Sequence, residues 1–267
     1  MREGGDSGYP LLFYFVLIMK KLLEANRQEI YEAPIIDWNN NTYTPISNKY
    51  IMDLIEEQID KAGLIVKNTH FTAARTTENK VKGVIGGYDI MTDDEEFGQR
   101  LMFRNSYDKS MSFAVVVGGL VWICSNGCIS GDYQYKRAHR GVLTAEGSTT
   151  STDIYDNIMG GFSMAVKAFE HNRKQLNDMK EIKVAQSTAY DIIGQLFFKQ
   201  KILTMNQLSI IKDEFMNSLN FRHLTSPDFT AYDLYNHITE SLKISHPLNY
   251  FSNHIETHKV FEETFGI

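Results

Sequence analysis

The sequence has little cysteine. Cys124 and Cys128 are the only two in 267 residues. Two cysteines cannot build a disulfide framework, and a chain of this length buries enough surface to fold without one. The scarcity points to a reducing, intracellular setting. Proline is also rare, at five residues, and no Pro-, Gly- or Ser-rich linker divides the chain. The most apolar stretch, residues 9–18 (YPLLFYFVLI), is about half of the ~20 residues a membrane-spanning helix requires. Glu3 and Asp6 before it and Lys20 and Lys21 after it do not fit a secretory signal. Met19 opens a conventional start, MKKLLEAN, so residues 1–18 are expected to be an upstream extension or a tail packed on the body, with no membrane role. No phosphate-binding G-x-x-x-x-G-K-[ST] loop, G-x-S-x-G nucleophile elbow or dinucleotide fingerprint is present. With 43% apolar and 22% charged residues the chain is neither disordered nor fibrous. Its net charge of −6 argues against wholesale coating of nucleic acid.

The patterning that is present predicts an α+β protein: an N-terminal helix, an antiparallel sheet of about five strands backed by a long helix, then a C-terminal helical region. Ser47 can cap a helix whose face carries Ile51, Leu54, Ile55 and Ile59, with Gly63 as its stop. Residues 64–75 and 80–91 are rich in β-branched and aromatic residues and are joined by TTEN at 76–79. Further strands are predicted at 99–105, 111–117 and 120–124, with Gly118-Gly119 as a two-residue hairpin loop between the last two. Thr152 can start a long helix reaching Met179 along the stripe Ile154, Ile158, Phe162, Ala165, Phe169 and Leu176. Gly160-Gly161 inside it suggests a kink or a close backbone approach. The tetrapeptide TAYD occurs at 188–191 and 230–233, and each copy reads as a Thr cap with an acid three residues on. Convergent capping explains this more simply than a duplicated unit. Thr204 and Gln207 form a closer capping box. The layout divides into residues 1–46 (extension and lead-in), 47–182 (sheet-plus-helix core) and 183–267 (C-terminal helices), which can also form one continuous domain.

Several motifs could carry chemistry. Cys124 and Cys128 have C-x-x-x-C spacing, with His139 downstream, but zinc wants four ligands, so a buried apolar Cys124 is the better expectation. His254 and His258 in HIETH are spaced like two metal ligands on a helix, and His246 could be a third. Glu256 is not where a zinc protease needs it, and an ordinary solvated face is preferred. The acidic run 93–96 lacks calcium-loop spacing and reads as an exposed turn. No cofactor is expected.

Charge placement is the most informative feature. Residues 99–141 carry Arg100, Arg104, Lys109, Lys136, Arg137 and Arg140 against only Asp108 and Asp132. His139 lies in the same block, and Tyr107, Tyr133 and Tyr135 are interleaved with it, whereas Trp122 reads as core. Basic side chains follow a phosphate backbone and exposed aromatics stack on unpaired bases. A basic strand edge also protects against edge-to-edge aggregation, which is the structural alternative. A groove requires the strands at 99–105 and 128–135 to be neighbours.

The segment 104–141, with its NSYDKS turn (105–110), a strand ending in Cys-Ser-Asn (124–126) and His-Arg-Gly at 139–141, resembles the phage/plasmid-like family of unknown function. NHITESLKISHP (236–247) resembles that family's C-terminal helix, and Trp122 stands where the family carries a basic residue. The resemblance implies a bacterial or viral genome, with the protein in the cytoplasm of a bacterial host or on the virion. By layout the sheet-plus-helix core is similar to the ring-forming single-strand annealing proteins of phage recombination, an analogy of fold only. The leading expectation is therefore a non-enzymatic, homo-oligomeric protein that engages single-stranded DNA. In it Arg100, Arg104, Lys109, Lys136, Arg137 and Arg140 contact phosphates, Tyr133 and Tyr135 stack on bases, and His139 donates or accepts a hydrogen bond. Two rivals remain: a virion-associated or host-takeover interaction protein, and a metal-dependent enzyme using His246, His254 and His258.

Overall fold

A computed structural model describes residues 24–36, 45–121, 126–128, 134–137, 169–246 and 249–267. The strands are β1 (Glu24–Ala25), β2 (Val66–Arg75), β3 (Val81–Ile90), β4 (Phe97–Ser106), β5 (Phe113–Val121), β6 (Asn126–Cys128) and β7 (Gln134–Arg137). The helices are α1 (Arg27–Glu32), α2 (Asn48–Lys61), α3 (described over 169–181), α4 (Gln186–Gly194, continued by a π turn Gln195–Lys199), α5 (Met205–Asn217), α6 (Ala231–Leu242) and α7 (Tyr250–Phe265). All strands join one antiparallel sheet in the order β1-β2-β3-β4-β5-β6, with β7 also on β5. The protein is α+β, as its patterning predicts.

The alternation of β3 and β4 sorts two faces. On the first, Val84, Tyr88, Leu101, Phe103, Phe113 and Val115 pack under Ile51, Met52, Ile55 and Ile59 of α2 and Ile30 of α1. Each fully buried isoleucine contributes about 1.5–3 kcal/mol. The α2 ends are as predicted: Ser47 Oγ accepts from the Tyr50 amide at 3.1 Å, and Gly63 takes φ +65°. Tyr88 donates to Glu56 at 3.0 Å, and Glu56 also accepts from Arg27, which ties β3 to α2 and α1. Gly86 is required on this face because a Cβ there would lie 2.2 Å from the Phe103 ring. On the second face Ile85, Met102, Ala114 and Val116 meet Phe251 and Ile255 of α7. The C-terminal helices form a third cluster, which takes in Phe169, Leu176 and Met179 of α3 and reaches the sheet at Phe97 and Val121. The acidic turn helps to join these parts. Asp94 accepts from the amides of Glu96 and Phe97, while Glu96 meets Lys180 at 2.6 Å and accepts from Tyr232 at 3.2 Å.

Two local expectations are corrected. Gly118-Gly119 does not turn: β5 runs straight through it, with Gly118 opposite Arg100 and Gly119 opposite both Gln99 and Cys128. Tight hairpin turns need positive φ, and neither glycine has it. The first TAYD does not cap a helix. The chain pairs Lys183 with Thr230, so α4 starts at Gln186 and Thr188 falls inside it. The second TAYD caps α6 with a full capping box between Thr230 and Asp233, and Thr204 and Gln207 do the same for α5. The expected start of the long helix at Thr152, Gly160-Gly161, Trp122, Cys124 and residues 1–18 lie outside the described residues.

Candidate functional site

The most developed polar constellation spans β2, β3 and β4 on the second face. Cross-strand register sets His70 opposite Gly87, and Asp89 opposite both Asn68 and Arg100. Asp89 is 1% exposed and accepts from Arg100 Nε at 2.6 Å, from Arg100 Nη2 at 3.1 Å and from His70 Nε2 at 2.7 Å. Burial alone would push its carboxyl up, but the hydrogen bonds from His70 and Arg100 outweigh that and hold it below the ordinary carboxylate range. An ionised carboxylate can only accept, so the Nε2 proton belongs to His70. In neutral His70 the Nδ1 atom then carries the lone pair, and it has no hydrogen-bond partner among the described residues. Tyr250, at the start of α7, joins the same group through Arg100, and burial pushes its phenol up.

These residues line a cleft of about 670 Å³. Ile85, Gly87 and Met102 line it on the apolar side, Asn26, Thr69 and Thr72 line it with polar groups, and Ser245 and Lys243 reach it from the segment after α6. Sequence reasoning missed this site because its charges are 11 and 19 residues apart and meet only through strand register. A signal was available. Asp89 is the sole acid in the apolar run 80–91, on the strand that the 76–79 hairpin pairs with the run holding His70.

The basic block is divided by the fold. Arg100 is buried against Asp89. Arg104 is half-buried: its guanidinium lies 5.6 Å from the Phe251 ring centre and donates to Ser112 O at 3.3 Å and to Ser112 Oγ at 3.2 Å. Tyr107 is buried and accepts from the Asn48 amide at 2.9 Å. Lys109 is exposed in the β4–β5 turn at φ +64°. Tyr135, Lys136 and Arg137 belong to β7, opposite Val115, Ala114 and Phe113 respectively. Tyr133, His139 and Arg140 lie outside the described residues. β4 and β7 are not neighbours, because β5 runs between them. Lys136 and Arg104 are nevertheless both register partners of Ala114, one in the strand on each side of it.

His254 and His258 are buried in α7, where His258 meets Gln175 at 3.0 Å and Tyr235 at 3.3 Å. His246 is exposed. Among the described residues no group of three or more His, Cys, Asp or Glu side chains is gathered in metal-holding geometry. No helix among them is long and apolar enough to cross a membrane.

A sheet carrying a buried charge constellation beside a helical C-terminal region defines a mixed α+β domain without a motif of known chemistry. The chain belongs to the family described as Domain of unknown function (DUF932), which matches residues 37–248. Comparison with curated proteins and with solved structures gave no match.

Proposed function

We propose that the protein is a non-enzymatic nucleic-acid-binding protein of phage type. It engages single-stranded DNA as a homo-oligomer, in replication or recombination within a bacterial host. The observation that supports this most is the β5–β7 register. Phe113 opposite Arg137 brings the turn that bears Lys109 and the C-terminal end of β7 to the same end of the sheet, at its outer edge. In this reading Lys109, Lys136, Arg137 and Arg140 contact phosphates, Tyr133 and Tyr135 stack on bases, and His139 adds a hydrogen bond. Arg100 and Arg104, engaged by Asp89 and Ser112, shape the face rather than meet the strand. Fluorescence anisotropy of a labelled single-stranded oligonucleotide and the matching duplex, over a salt series, tests it. Binding that prefers the single strand and weakens steeply with salt is expected. Absence of binding at low salt refutes it.

Exposed apolar residues on and between the C-terminal helices favour a second reading, a virion-associated or host-takeover interaction protein. Leu219 is 98% and Phe198 76% exposed, with Met205 and Met216 also outside. Under this reading Leu219→Ser with Phe198→Ser disrupts assembly in size analysis, while substitution of Lys136 and Arg137 leaves it intact.

A further inference from the structure

We propose that the cleft between the second sheet face and the α6–α7 segment binds a neutral, nucleoside-sized ligand that donates a hydrogen bond to Nδ1 of His70. The inference stands apart from strand binding. The cleft is built on β1 to β4, whereas the basic edge lies beyond β5. At about 670 Å³ the cleft falls within the range of small-molecule sites.

Its polar anchor is preorganised. The His70 side chain is 49% exposed, so it reaches the cleft, yet its Nε2 is fixed by a carboxylate that is itself buried and held by Arg100. In the neutral imidazole this contact fixes the tautomer and leaves the acceptor at Nδ1, so a ligand O–H or N–H meets it at little ordering cost. The wall formed by Ile85, Gly87 and Met102 is apolar. At Gly87 a Cβ would meet Met102, the His70 carbonyl and Arg100 at 3.6–3.9 Å, ordinary contact distance, so the glycine keeps the wall between Ile85 and Met102 low. A planar ring can pack on this apolar wall, and Tyr250, Asn26, Thr69 and Thr72 line the same cleft as polar partners for its hydroxyls.

Charge selects against phosphate. Arg100 is matched by Asp89, and Lys243 by Glu240 at 2.5 Å. Glu29 is matched by Arg75 at 2.8 Å. Glu24 adds a further acidic residue to the cleft lining, which disfavours a phosphate group. A nucleoside therefore fits better than its monophosphate.

Calorimetric titration of the full chain with uridine, adenosine and uridine 5′-monophosphate tests the proposal. Saturable binding of at least one nucleoside, tighter than that of the monophosphate, is expected. His70→Gln can still donate to Asp89 but has no acceptor at the Nδ1 position, and it should weaken nucleoside binding about tenfold. In the wild-type protein the nucleoside should also move the Nδ1 resonance in imidazole ¹⁵N spectra, a readout that does not depend on the variant folding. Lys136→Ala with Arg137→Ala should leave nucleoside affinity unchanged. No saturable binding of either nucleoside, an unmoved Nδ1 resonance, or equal affinity in a folded His70→Gln protein would overturn the proposal.

Discussion

Asp89→Asn is the sharpest perturbation of the buried constellation. The substitution keeps the shape of the side chain but removes the charge that faces Arg100, whose own side chain is 8% exposed. Removing one member of a buried ion pair costs about 3–5 kcal/mol, because the remaining charge stays desolvated. Asn keeps one carbonyl oxygen that can still accept from Arg100, so the lower end, about 3 kcal/mol, is expected. For a chain of this size each kcal/mol moves the melting temperature by about 2–4 °C, which gives a fall of roughly 6–12 °C. Urea denaturation followed by circular dichroism gives the free energy directly. Asp89→Asn with Arg100→Met should recover more than half of the loss, since replacing both members with uncharged side chains leaves no orphaned charge. A loss below about 1 kcal/mol for Asp89→Asn alone would refute the claim that this pair is buried and mutually dependent.

Gly86→Ala should destabilise by about 1–3 kcal/mol in the same assay, because the added methyl meets the Phe103 and Phe71 rings, both buried, at 2.2 and 2.8 Å. A neutral result would mean that these rings can move. Thr230→Ala removes the α6 cap and the hydroxyl that donates to Asp233 at 2.7 Å, so a loss of about 1 kcal/mol is expected. Acid should weaken the protein below the ordinary carboxylate range. The hydrogen bond from His237 holds Glu214 low against its burial, and Asp89 is likewise held low, so both pKa values are depressed on folding. Their stabilisation is complete above the unfolded-state values and is lost as pH falls through the lower folded ones. Unfolding measured from pH 6 down to pH 2 should show this loss reduced in Asp89→Asn.

The parts of the fold legible in the sequence are those set by local chemistry. Ser47, Thr204 and Thr230 announce helix starts because a side-chain oxygen satisfies an amide three residues on. The β2–β3 hairpin follows from two β-rich runs around TTEN, closed by Asn79 at φ +62°. Where non-local pairing decides, the same signals mislead. Gly118-Gly119 has hairpin composition but is held extended between β4 and β6, and Thr188 has a cap's neighbours but follows a chain already pinned to Thr230. The site shows the same division. A charge count finds six basic residues between 99 and 141, yet it cannot see that Arg100 is matched by an acid upstream of the block.

The most direct test of strand binding is the salt dependence of single-stranded oligonucleotide affinity, measured for the wild-type protein and for Lys136→Ala with Arg137→Ala. Each lost phosphate contact on a single strand lowers the slope of log affinity against log salt by about 0.7, so the double variant should show a slope smaller by about 1.4 and weaker binding at low salt. An unchanged slope and affinity would contradict the account and leave the exposed C-terminal helices as the working surface.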